Sequence, residues 1–115
     1  MNKEWYTPIL EQQKPEGEPR FEVQLQPLSR LQLWEVQNTV IRQGSDMVIG
    51  FEGRRLLVRY GIKDWRGLTD KAGQPIPCPV GNEVAMLEHV LPGILQEIGY
   101  QVMNLSSLSG EQKKN

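Results

Sequence analysis

Among 115 residues there is one cysteine and one histidine. A lone cysteine cannot form an intramolecular disulfide. A Cys–His nucleophile would have to use Cys78 and His89, eleven residues apart, with no third orienting group visible in the sequence. No nucleophile elbow, zinc-ligand spacing or paired-carboxylate pattern accompanies them. Cys78 lies in Pro75-Ile76-Pro77-Cys78-Pro79, a stiff extended stretch in which a thiol is expected to pack as a small apolar group. Long apolar runs are missing: none approaches the roughly 20 residues that cross a bilayer. The opening MNKEWYTPILEQQK lacks the apolar centre of a signal peptide. Neither sign of charge dominates, with 13 Lys and Arg against 14 Asp and Glu and a net charge of −1. A dedicated nucleic-acid binder carries a basic surplus. These absences lead us to expect a soluble protein held in a cytoplasm, not an enzyme, with no cofactor, no metal, no membrane and no nucleic acid as partner.

What is present suits one domain with a modest core, at 38% hydrophobic residues. Residues 4–10 read as a short edge strand, because Thr7-Pro8 cannot sit in a central one. Residues 11–19, EQQKPEGEP, are polar and rich in turn formers. Phe21-Glu22-Val23-Gln24-Leu25-Gln26 alternates apolar and polar, the pattern of a half-buried strand. Together these predict an N-terminal β-hairpin arm over residues 1–28. Ser29 with Gln32 forms a capping-box pair. Leu33, Trp34, Val36, Val40 and Ile41 then extend a helical stripe to about Gln43, with Gly44 as the stop. A second helix is expected over 51–63. Its Leu56, Leu57 and Tyr60 face inward, with Arg55, Arg59 and Lys63 along the outer side. A third should start near Asn82, burying Val84, Leu87 and Val90. A fourth opens at Pro92, where a missing N–H costs nothing. Ile94, Leu95, Ile98, Val102 and Leu105 continue it at helical spacing. The fold class expected is therefore mainly α: about four helices over residues 29–108, the β-hairpin arm before them, and a flexible tail over 109–115.

Between the second and third helices, YGIKDWRGLTDKAGQP runs through charge and glycine. A calcium loop counted from Asp64 would need a carboxylate at its twelfth position and finds Pro75; counted from Asp70, its third residue is Ala72. Phosphate cradles need closely spaced glycines opening a helix, but Gly67 and Gly73 are six apart with no helix directly after. Asp70-Lys71-Ala72-Gly73 reads as an ordinary β-turn. Trp65 is expected to anchor the loop on the core, with exposure to a partner as the alternative.

The densest positive region is Arg54-Arg55-Leu56-Leu57-Val58-Arg59 with Lys63 and Arg66, either a solvated face or a docking face for an acidic partner. Three stretches then share an order with a known group of proteins: FEVQLQPL over 21–28, LVRYGIKDWRGLTDKAGQPIP over 57–77, and the close from LPGILQEI at 91–98 to LSGEQKKN at 108–115. This order resembles the small tail assembly chaperones of long-tailed bacteriophages and prophages, over about residues 20–115. The resemblance implies a non-enzymatic helper in the cytoplasm of the bacterial host. It would coat the tape measure protein before the tail tube protein polymerises around it, and be absent from the finished particle. It also implies possible self-association, and a longer frameshifted form for which Lys113-Lys114-Asn115 is a compatible site. The residues expected at the partner surface are Trp5, Tyr6, Ile9, Leu10, Arg55, Arg59, Lys63 and Trp65. A structural virion component, such as a head–tail connector or minor tail protein, is the alternative.

Overall fold

Five helices and five strands appear in the computed structural model, which describes the backbone of residues 5–114 and the side chains of residues 5–106. The order is β1 (Trp5–Tyr6), α1 (Ile9–Gln12), β2 (Glu22–Leu25), α2 (Arg30–Gln37), β3 (Val40–Gln43), β4 (Asp46–Ile49), α3 (Phe51–Gly61), β5 (Ile62–Arg66), α4 (Glu83–Leu87) and α5 (Pro92–Lys114). At 42% helix and 21% strand the fold is mixed α/β. The expectation of a mainly α protein is wrong, because two stretches read as helix ends are strands.

The first is the end of α2. Its start is as expected: the Ser29 hydroxyl accepts from the Gln32 N–H while the Gln32 side chain accepts from the Ser29 N–H. The helix stops at Gln37 instead of continuing to Gln43. Thr39, Val40 and Ile41 are β-branched and prefer a strand. β3 pairs antiparallel with β4 through a Gly44-Ser45 turn, with Gly44 at φ +63°. Glycine at the first central position with positive φ matches the turn geometry that closes two-residue hairpins.

The second is β5, which follows α3 without a linker. It joins β2, and β2 joins β1, in a three-stranded antiparallel sheet ordered β1-β2-β5. The N-terminal segment is thus no separate arm: β2 is the central strand. Val23 lies opposite Trp65 in the register, and the Phe21 and Trp65 rings meet edge-on with centroids 5.7 Å apart. The indole N–H of Trp65 donates to the Ile76 carbonyl at 2.8 Å, which ties the 67–81 loop to the sheet.

Beneath the sheet, Leu57 and Val58 of α3 pack with Ile98 and Val102 of α5, joined by Val36, Met86 and Ile62. Ser106 is buried and fully used: its hydroxyl accepts from the Leu28 N–H at 2.9 Å and donates to the Val102 carbonyl at 2.8 Å. α4 is rotated from the expected face. Met86 and Glu83 point inward, while Val84 and Leu87 are exposed; Val90 is buried as expected. The tail expected over 109–115 lies outside the residues with described side chains, although the α5 backbone runs to Lys114.

Gly61 closes α3 against α5. A methyl group there would sit 2.4 Å from both γ-carbons of Val102. Gly61→Ala is expected to destabilise the protein by about 1–3 kcal/mol through overpacking. Adding Val102→Ala should recover part of that loss. A non-additive double-mutant cycle in urea unfolding checks the contact; strictly additive effects would refute it.

Candidate functional site

The charged loop is built as a turn. The Asp70 carboxylate accepts from the N–H groups of Ala72 and Gln74, each at 2.9 Å, and the Gly73 N–H donates to the Asp70 carbonyl. Asp64, on β5, accepts from its neighbour's N–H, that of Trp65. Each carboxylate thus serves its own backbone. Among the described residues no group of three His, Cys, Asp or Glu side chains converges. Cys78 is half-buried, and its thiol is pushed up to about 11, first by burial and then by the nearby Asp64 charge. It therefore stays protonated at neutral pH, the opposite of an activated nucleophile. His89 is exposed, with its ring edge-on to Trp65.

The basic stripe does not act as one face. Arg55 and Arg59 lie one turn apart on α3 and converge on Glu83 of α4. Arg55 donates to it through Nε and Nη2 at 2.9 and 2.6 Å, and Arg59 through Nε and Nη2 at 2.8 and 2.9 Å. Hydrogen bonding from Arg59 is the main reason the Glu83 carboxyl falls to about 2, with Arg55 adding to it against the cost of burial. Arg55 also pairs with Glu52 at 3.1 Å. Lys63 falls beyond the helix, exposed on β5. Two of the three cations expected at a partner surface are thereby engaged in holding α4 to α3.

The N-terminal residues are divided as well. Trp5 lies under the Arg66 guanidinium, 4.1 Å from the ring centroid. The Tyr6 hydroxyl donates to Glu97 of α5, and its phenol is pushed up to about 12 by burial, then by that bond and the carboxylate charge. The Ile9 N–H donates to the same carboxylate at 3.0 Å. Glu97 therefore pins this segment, leaving the side chains of Ile9 and Leu10 exposed. Trp65 is 4% exposed and cannot meet a partner.

The surface that sequence reasoning missed lies elsewhere. Ile41, Met47, Phe51 and Tyr100 are 49%, 62%, 62% and 56% exposed. They line one cleft of about 670 Å³ between the β3–β4 hairpin, the start of α3 and the middle of α5. Beside it, Val58, Leu87, Pro92 and Leu95 line a smaller depression of about 170 Å³. Phe51, Arg54 and Gln96 border both. Singly exposed apolar residues are normal on a protein surface, whereas a contiguous group around a cleft marks a binding surface. Its signal in the sequence was VIRQ-GS-DMVI, two apolar-containing runs separated by Gly-Ser, which is a hairpin spacing. Reading the first run as helix removed the wall of the cleft.

No helix among the described residues is long and apolar enough to cross a membrane. No protein-family model, curated protein or solved structure matches the chain.

Proposed function

We propose that this protein is a tail assembly chaperone of a long-tailed phage or prophage. It holds the tape measure protein in solution in the host cytoplasm until the tail tube protein assembles around it, and it leaves before the virion matures. It works by binding and does no chemistry. Neither nucleic acid nor membrane is a partner in this reading.

The observation that carries the proposal is the exposure of Ile41, Met47, Phe51 and Tyr100 around one cleft, whose lining also includes Gln43, Arg54 and Gln96. A holdase needs apolar surface that its own fold leaves open, so that a partner's apolar segments are covered without unfolding the chaperone. Among the described residues the buried core is formed by other side chains, and no buried side-chain polar atom lacks a partner. The burial that raises the Cys78 thiol weighs against the reading in which this residue is a nucleophile.

Co-expression with the tape measure protein encoded beside it tests the reading. The tape measure protein is expected to become soluble and to co-purify, while purified tails contain none of this chain. Met47→Asp, on an exposed hairpin position, should leave the unfolding midpoint nearly unchanged and lower recovery of the complex at least tenfold. An insoluble tape measure protein overturns the chaperone reading. So does finding the chain in stoichiometric amounts in tails, which is the outcome expected of a connector or minor tail protein.

A further inference from the structure

The two depressions share a border that says what fits them. Phe51 and Arg54 are three residues apart on α3, and Gln96 faces them from α5. A furrow between two packed helices is the shape that a third helix fills, side chains into grooves. The smaller depression, at about 170 Å³, is close to the roughly 150 Å³ of an apolar cavity that admits a benzene ring. It therefore has room for one large apolar side chain. The larger cleft takes its neighbours along the same helix face.

Charge narrows the occupant further. Among the described residues no carboxylate lines the larger cleft. Glu83 is the acid beside the smaller one, and its oxygens are taken by Arg55 and Arg59. Arg54 borders both and makes no ion pair among the described residues, unlike its neighbour Arg55. A guanidinium half-sheltered by apolar walls favours a carboxylate that arrives with the ligand.

The geometry points to a partner segment that binds as an amphipathic helix, seating a large apolar side chain in the depression beside Leu87 and Leu95 and pairing a flanking Asp or Glu with Arg54. This rests on the chaperone reading for the identity of the partner, and adds the conformation and charge of the segment bound.

The test uses the full chain and two labelled 18-residue peptides with the same leucine stripe at helical spacing, one flanked by glutamates and the other by lysines. Fluorescence anisotropy should show the glutamate peptide binding at least tenfold more tightly. Arg54→Glu should reverse that preference, and Phe51→Asp should weaken both peptides. Lys71→Glu, exposed on the Asp70–Gly73 turn and away from the furrow, should leave the ranking unchanged; circular dichroism checks that each variant stays folded. Equal binding of the two peptides, no binding of either, or a preference indifferent to Arg54→Glu would overturn the inference. Solubilisation of the tape measure protein in co-expression separates it from the reading beneath it. If Phe51→Asp and Arg54→Glu still solubilise that protein, the furrow is refuted while the chaperone stands. If the peptides behave as stated but the wild type fails to solubilise it, the furrow stands and the chaperone falls.

Discussion

Gly67→Ala is expected to destabilise the protein by about 3–5 kcal/mol, a large part of the roughly 5–15 kcal/mol that holds a domain of this size together. Two costs combine. Gly67 has φ +93°, a backbone conformation that favours glycine. A Cβ at this position would also lie 2.0 Å from the carbonyl oxygen of Arg20. That oxygen belongs to the chain entering β2, so no side-chain rotation relieves the overlap. Either β5 or the start of β2 must shift, which opens the Phe21–Trp65 contact at the edge of the core. Gly73→Ala is the control. Its φ of +80° carries the same kind of dihedral cost, but no atom of the described residues lies within 4 Å of the added methyl, so a loss of about 1 kcal/mol is expected. Urea unfolding followed by tryptophan fluorescence compares the two. Equal losses would show that the close approach to Arg20 is unimportant.

Glu83→Gln should cost about 2 kcal/mol at pH 7 and almost nothing near pH 2. The carboxylate is buried, and replacing it leaves two guanidiniums one turn apart without their counter-ion. The arginines are about a third exposed, so water and salt soften the loss below what a fully buried pair would show. The pH dependence follows from the depressed carboxyl. Its ordinary value is 4.5 and its folded value is about 2. Above 4.5 it is ionised in both states and contributes fully. As the pH falls from 4.5 toward 2, the unfolded chain takes up the proton first, and the contribution is lost. Glu11 and Glu22 are also held below their ordinary range, the first by Lys14 and the Phe21 N–H against burial, the second chiefly by Thr7 and Arg66, so acid sensitivity remains in the variant. The difference between wild type and variant, measured at pH 7, 4 and 2.5, isolates Glu83. A difference that stays constant across that range would mean that its charge is not what stabilises α4.

Local chemistry was legible in the sequence wherever a feature completes itself within a few residues. The Ser29–Gln32 box, the Asp70–Gly73 turn and Pro92 at the start of α5 are of this kind, because donor and acceptor are near neighbours in the chain. β2 is a strand as its alternation suggests, but the alternation itself fails after Val23: Gln24 is buried and Leu25 only half-buried, where the ladder to β5 shifts register. Helix and strand were confused where their patterns overlap. Leu33, Val36 and Val40 keep helical spacing, but the last belongs to a β-branched run whose partner strand follows Gly44.

The starts of α2, α3, α4 and α5 and the Asp70–Gly73 turn are legible from short-range hydrogen bonding and apolar spacing; α1 is not, since the strand expected over residues 4–10 ends at Tyr6 and Ile9–Gln12 is helical. Long-range packing decided which side of α4 faces inward: Glu83 is buried because Arg55 and Arg59, 28 and 24 residues earlier, meet it there. It likewise decided that β2 is central, that Trp65 is enclosed, and that Phe51 and Arg54 border an open furrow. Each of these depends on contacts between segments distant in the chain, and a single sequence records the residue types but not which of them the fold brings together.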